Sequence, residues 1–345
     1  MTIDLHTDYL GLRLRSPIVA SAGPYTGDLD RLRELDAAGV AAVVLPSLFE
    51  EQVEHDTFEI DRLFSMHHDS FGEASSFFPE VDGYNTGVDA YLTHVAAARD
   101  VVDVPVIASL NGTNIGGWLK YARLLQDAGA DAIELNLYGI AADPAQTGQA
   151  IEDEQLELVA LIREEISIPL AVKISPYYSS LANFLSGLQE AGADGVVMFN
   201  RFYAPDLDLE TLDIAPTISL SNTSEARLPL RWIGIAHEFL QISIAGSTGV
   251  HSGREVAKFV LAGADVAMMT SALLVQGPTH VAQAEYELRE WMSEHDYTSV
   301  DQMRGAVSRD ATADPAVYER ANYIGNLTSY SSAFMASQSI RLQDH

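Results

Sequence analysis

Short apolar runs alternate along the chain with segments whose apolar residues recur every three or four positions. The runs "SPIVASAG", "GVAAVVLPS", "VPVIASLNG", "ADAIELNLY", "IPLAVKIS", "ADGVVMFN", "LQISIAGS" and "ADVAMMTS" read as strands. Between them, "DLDRLRELDAAG", "GGWLKYARLLQDAG", "EDEQLELVALIREEI" and "REVAKFVLAG" carry the helical period. Eight such strand–helix units predict a parallel (β/α)8 TIM barrel. A quasi-repeat agrees: "DAAGVAAVV", "DAGADAIEL", "EAGADGVVM" and "LAGADVAMM" precede strands two, four, six and eight, each with a glycine where a helix would stop.

Two segments break the cycle. Residues 50–87 follow strand two and residues 201–225 follow strand six. Both lie at strand C-termini, where barrel active sites are built, so they are expected to wall or cover a pocket. The barrel is expected over residues 1–297, with a polar extension over 298–345 that packs on it or on a partner subunit.

Strand four raises a question, because Glu134, Asn136 and Tyr138 alternate with Ile133, Leu135 and Leu137 and so share one face. On strand five, Ala171, Lys173 and Ser175 share a face in the same way. A lysine inside a barrel must be paired or used, because an isolated buried ammonium is costly. Glu134 on the neighbouring strand is the available counter-charge, and both an internal ion pair and a ligand-facing cation remain open. "AGSTGVHSGRE" after strand seven and "MTSALLVQGP" after strand eight are turns leading into helices. Amides at such places suit a phosphate, and in barrels these two loops often hold one.

The 345 residues contain 49 Asp and Glu against 20 Lys and Arg, a formal charge of -29 that argues against nucleic-acid partners. Only Lys120, Lys173 and Lys258 are lysines; either a high-Arg genome or adaptation to high salt accounts for that. Without cysteine the chain holds no thiol nucleophile and no cysteine-ligated iron–sulfur cluster. No His, Asp and Glu spacing suggests a metal site. No run is long enough to cross a bilayer and the N-terminus has no signal-peptide pattern, so a cytoplasmic location is expected.

The ordered motifs "ASAGPYT", "ELNL", "PLAVKISPY", Asn200 at the end of strand six, "GSTGVHSG" and "SALLVQGP" resemble the dihydroorotate dehydrogenase family, from about Leu10 to Trp291. That family consists of barrel enzymes that bind flavin mononucleotide (FMN). The resemblance implies that Ala20, Ser21, Ala22 and Gly23 lie beside the flavin ring, and that Ser47, Asn136 and Asn200 supply polar contacts. Lys173 would reach the N1–C2 side of the ring, where a cation stabilises the reduced flavin. Thr248, Gly249, Thr270 and Ser271 would hold the phosphate, with Gly246 a further cofactor-binding residue.

Departures from the family pattern accompany this. Gly139 stands where a serine or cysteine base is expected, Ala141 where another asparagine is, and Pro46 where a lysine often faces the flavin. Thr248 replaces the first glycine of the phosphate pair, and "TSEARLPLRW" replaces a glycine-rich turn after strand six. These losses bear on dihydroorotate oxidation, and so on a place in pyrimidine biosynthesis, more than on flavin binding. With "NRFYAPDLDLE" and "RLPLRW", the whole resembles a dehydrogenase-like branch lacking the usual base. Tyr138 is the candidate proton donor, with packing at the barrel mouth as its other role. His67 and His68 in the insertion after strand two are further candidates.

The expectation is an FMN-dependent oxidoreductase passing hydride between flavin N5 and a small polar substrate, with a separate electron acceptor or redox partner protein. Two other readings stay open: a flavin- or ligand-binding paralogue without turnover, and a phosphometabolite enzyme on the same barrel. A homodimer is the arrangement common among related barrels.

Overall fold

The computed structural model describes residues 3–49, 87–112, 115–201, 205–215 and 219–319, with only the backbone of 115–117. The insertion after strand two, with His67 and His68, lies outside these residues up to 86, as does the end of the tail.

The eight expected strands form a closed parallel barrel. In chain order they are β3 (Ile18–Ala20), β4 (Val43–Phe49), β5 (Val106–Asn111), β6 (Ala132–Asn136), β7 (Leu170–Ile174), β8 (Gly195–Met198), β11 (Ser243–Ser247) and β12 (Val266–Met269). An antiparallel hairpin, β1 (Thr7–Tyr9) with β2 (Leu12–Leu14), precedes the barrel, and a second, β9 (Asp206–Asp208) with β10 (Asp213–Ala215), lies in the insertion after β8. Leu207 and Ile214 pair across that second hairpin and are exposed.

Around the barrel run α1 (Leu29–Ala37), α2 (Val88–Val101), α3 (Ile115–Asp127), α4 (Gly148–Glu165), α5 (Leu181–Glu190), α6 (Arg227–Ala236) and α7 (Gly253–Ala262). Then follow α8 (Ser271–Gln276), α9 (His280–Glu294) and α10 (Val300–Met303). Side-chain oxygens satisfy free amides at several helix starts: Asp28 accepts from Asp30 and Arg31, Thr147 from Ala150, and Ser252 from Arg254. The quasi-repeat glycines Gly39, Gly129, Gly192 and Gly263 all have positive φ, between 89° and 123°. Each lets the chain reverse from a helix into the next strand at a conformation that a Cβ would strain.

Two apolar clusters follow from the alternation of side chains along the strands. The larger lies between strands and helices. The smaller fills the barrel and joins Val19, Val44, Ile107, Ala132, Ala171, Val197, Ala245, Val266 and Met268 to Tyr9, Leu10 and Leu14 of the first hairpin. Small residues make room for the hairpin: a Cβ on Gly195 would meet Leu10 Cδ2 at 2.6 Å. The hairpin is tied in by Leu10 N donating to Ser243 Oγ at 2.9 Å and Thr7 Oγ1 donating to the Asp265 carbonyl at 3.0 Å.

After α9 the chain returns to this end of the barrel. Asp4 bridges Ser299 in parallel, Val300 and Met303 are fully buried, and Val307 N donates to the Leu261 carbonyl at 2.9 Å. Among the described residues no helix is long and apolar enough to cross a membrane.

Candidate active site

The polar residues of the barrel interior gather toward the strand C-termini. Register places Ser109 beside Glu134, Asn111 beside Asn136, and Asn136 beside Lys173. Ser21, Ser109, Asn111, Glu134, Asn136, Lys173, Ser175 and Ser247 are all buried. The row of polar residues on strand four therefore points into the barrel, above the apolar layer made by Ala132 and Ala171.

Lys173 is the only ammonium in this group. It is 7% exposed, and its Nζ lies 3.3 Å from Ser21 Oγ and 3.4 Å from Glu134 Oε1. Ser21 thus comes from the expected strand-one segment, and Glu134 supplies the expected counter-charge. The ammonium has three donors, and these two contacts leave one for a third partner.

An amide pair sits at the mouth, where Asn200 Nδ2 donates to Asn136 Oδ1 at 3.0 Å. The Asn200 backbone is held by its own amide donating to the Ile174 carbonyl at 2.8 Å. Asn111 is the neighbour in register that the sequence reading passed over. Its signal was present in β5, where Ile107, Ser109 and Asn111 share the inward face. Ser47 Oγ lies 2.8 Å from Ser109 Oγ, joining β4 to the same ring.

Pro46 interrupts the β4 ladder, whose register shifts between Val44 and Ser47. Proline has no amide to give a central strand, so an irregularity is the expected accommodation. The Tyr91 hydroxyl caps the freed Pro46 carbonyl at 2.6 Å. Tyr138 follows β6 at the mouth and is half-buried, whereas Gly139 is exposed.

The loops after β3, β11 and β12 meet at the same end. A Cβ on Gly23 would lie 2.7 Å from Thr270 Cγ2, so Ala22 and Gly23 pass close to the strand-eight turn. Thr248 and Gly249 are consecutive positive-φ residues, at 77° and 80°. A β-branched residue there is strained, and such strain gathers at functional loops. Thr248 Oγ1 donates to the Phe199 carbonyl at 3.2 Å. Gly246 differs in kind: it lies within β11, and an added Cβ would come 2.1 Å from the Phe259 ring, so its smallness serves the packing of α7 on the barrel.

Thr270 and Ser271 open α8. Ser271 Oγ accepts from Ser221 N at 3.1 Å and from Ser221 Oγ at 2.9 Å, and His251 Nε2 lies 3.4 Å from Ser221 Oγ. Ser221 and His251 were not legible as site residues, because only the fold brings the insertion after β8 against these turns. "TSEARLPLRW" there forms a short 3-10 turn, Thr223–Ala226, capped by Asn222 and Glu225, that runs into α6. Among the described residues no group of His, Asp and Glu is placed to hold a metal ion.

The dihydroorotate dehydrogenase profile matches residues 4–292, the whole barrel. The chain belongs to the dihydroorotate dehydrogenase family. Dihydroorotate dehydrogenase B (NAD(+)), catalytic subunit, from Endomicrobium trichonymphae is 23% identical over 90% of this chain and 99% of its own length. The corresponding subunit from Bacillus pumilus (strain SAFR-032) is 27% identical over 64% of this chain and 73% of its own. Dihydroorotate dehydrogenase A (fumarate) from Lactobacillus delbrueckii subsp. bulgaricus (strain ATCC BAA-365 / Lb-18) is 23% identical over 78% and 88%. Dihydroorotate dehydrogenases are flavin-dependent oxidoreductases, and the residues of this site fit a flavin. A buried ammonium lies at the mouth with serine and asparagine groups around it, and the turns after β11 and β12 bring the half-buried Thr248, Thr270 and Ser271 to the same end of the barrel.

Proposed function

We propose that the chain is an FMN-dependent oxidoreductase acting on a small polar substrate at the C-terminal mouth of the barrel. The observation that carries this is Lys173, a buried ammonium held between Ser21 and Glu134 with Asn136 beside it in register. When bound, the flavin supplies a centre at N5 that accepts or gives a hydride.

The residues divide the remaining work. Ala20, Ser21, Ala22 and Gly23 would lie beside the ring, and Ser47 would give it a polar contact. Lys173 holds positive charge toward N1–C2. The amides of Asn136 and Asn200, with Asn111, orient polar groups of the substrate. Thr248, Gly249, Thr270 and Ser271 take the phosphate, whereas Gly246 supports the loop from within β11.

Tyr138 is the candidate proton-transferring group in place of the missing serine or cysteine. Gly139 cannot move a proton, so dihydroorotate is a poor substrate unless Tyr138 or water replaces the base. The chain has no cysteine and so carries no iron–sulfur ligands of its own. Electrons therefore pass to a soluble acceptor or a separate protein, as the name "catalytic subunit" of two relatives suggests.

The test is the visible spectrum of the purified protein, followed by identification of the cofactor released on denaturation and by anaerobic addition of dihydroorotate. Released FMN supports the reading, and bleaching at catalytic rates makes dihydroorotate the substrate. A colourless protein that refuses added FMN overturns the reading and favours a phosphometabolite enzyme.

A further inference from the structure

Inside the barrel, two polar atoms on neighbouring side chains are buried without hydrogen-bond partners among the described residues: Glu134 Oε2 and the Tyr9 hydroxyl. Both residues are 1% exposed. Leaving a buried acceptor and a buried donor both unmade is costly, and buried polar groups in native proteins are almost always satisfied. One is an acceptor and the other a donor, and the Glu134 charge is felt at the Tyr9 phenol. Burial first, and the Glu134 charge second, push the Tyr9 phenol well above its usual range, so it keeps its proton. The Tyr91 hydroxyl also feels Glu134 but is committed to the Pro46 carbonyl and the Ser109 amide.

Tyr9 reaches this place from below. The hairpin inserts it among Ala132, Ala171 and Ala245, one layer beneath Glu134 and Lys173. The Lys173–Glu134 contact of 3.4 Å is longer than a tight charge-assisted bond, so the ammonium is not fully committed to the carboxylate.

We propose that Tyr9 and Glu134 are joined through a sealed internal water, and that this pair is a positioning device setting how much of the Lys173 charge acts on the flavin above it. The inference rests on the FMN reading. A bound flavin in its reduced form would carry negative charge on the N1–C2 side, and Lys173 would stabilise it. Glu134 offsets part of that field, and Tyr9, through the water, fixes the carboxylate so that the offset is constant. An internal water would satisfy both groups, because a buried donor and a buried acceptor already wait for a partner.

Anaerobic redox titration of the FMN-loaded protein tests this. Glu134→Gln removes the opposing charge and is expected to favour the reduced flavin about tenfold, a rise of about 30 mV for a two-electron couple. Lys173→Met is expected to shift the equilibrium by a similar factor in the opposite direction. Tyr9→Phe is expected to move the potential in the wild-type background but less than half as much in the Glu134→Gln background, because its effect passes through the carboxylate.

Should Glu134→Gln fail to fold, Glu134→Asp retains the charge and is expected to hold the potential within twofold of wild type; a tenfold shift there overturns the proposal. A Glu134→Gln potential within twofold of wild type overturns it, as does an equal Tyr9→Phe shift in both backgrounds, which a purely structural tyrosine would give. A wild-type protein that takes up no FMN overturns both this inference and the function it rests on, whereas the other failures leave FMN binding intact.

Discussion

Thr248 and Gly249 occupy the same left-handed region of backbone space with opposite consequences. Thr248 bears a side chain where it is strained, by about 1–3 kcal/mol. Replacing it with glycine relieves that strain but loses the hydroxyl bond to Phe199 and adds backbone freedom to the unfolded chain, each about 1 kcal/mol. Thr248→Gly is therefore expected to leave stability within about 1 kcal/mol of wild type in urea unfolding, while FMN affinity measured by fluorescence titration falls. Gly249→Ala is expected to cost at least about 2 kcal/mol, since its Cβ would also lie 2.6 Å from the Ala226 amide nitrogen. A destabilised Thr248→Gly with unchanged FMN affinity would show that the threonine serves folding rather than the phosphate.

Among the elements, α2 carries a pH dependence. His94 Nε2 is buried without a partner among the described residues. Burial lowers its pKa below the usual 6.5, against the weaker pull of the Thr26 backbone and Asp28. A histidine held neutral in the fold is protonated first in the unfolded chain, so stability falls as pH drops from about 6.5 through the lowered folded value. Asp265 acts in the opposite sense at lower pH: burial raises it above 3.8, so its contribution grows as pH falls through that window. His94→Gln is expected to flatten the stability profile between about pH 7 and 5, read as urea midpoints. An unchanged slope would assign the effect elsewhere.

The elements were also the level at which the sequence was most legible. Period-2 and period-3.6 patterns and the recurring glycines report local conformation, so all eight barrel strands were found. Lys173 and Glu134 could be paired because adjacent parallel strands with matching inward faces leave little choice. Ser221 was not legible, since it reaches the turns after β11 and β12 only through an irregular insertion, and His251 of the β11 turn gains it as a neighbour only in the fold. The close packing of Phe259 on Gly246 was not legible either, because smallness at a turn and smallness under a helix leave the same letter in the chain. Tyr9 was missed because a short hairpin gives no sign that its side chains will fill a barrel formed much later in the chain.

For the whole molecule, the charge of -29 sets the response to salt. Many ion pairs here join partly exposed groups, such as Arg13 with Asp8 and Arg33 with Asp30, and pairs of that kind contribute little. Net repulsion among carboxylates is the larger effect, and added salt screens it. The melting temperature is expected to rise on going from low ionic strength to about 1 M KCl, followed by differential scanning calorimetry. A fall would mean that attractive pairs outweigh the repulsion.

The hairpin that fills the barrel floor also constrains the order in which the chain can fold. Leu10 is fastened to Ser243, Thr7 to Asp265 and Asp4 to Thr298, all contacts between opposite ends of the chain. The hairpin leaves the ribosome well before the strands it docks on, and thus has no docking surface until β11 and β12 have been made. Such distant contacts are slow to form, because the entropy of closing the loop is paid before any contact rewards it. Until then Tyr9, Leu10 and Leu14 are unburied apolar residues on a nascent chain, and closing the barrel and hiding them become one late event.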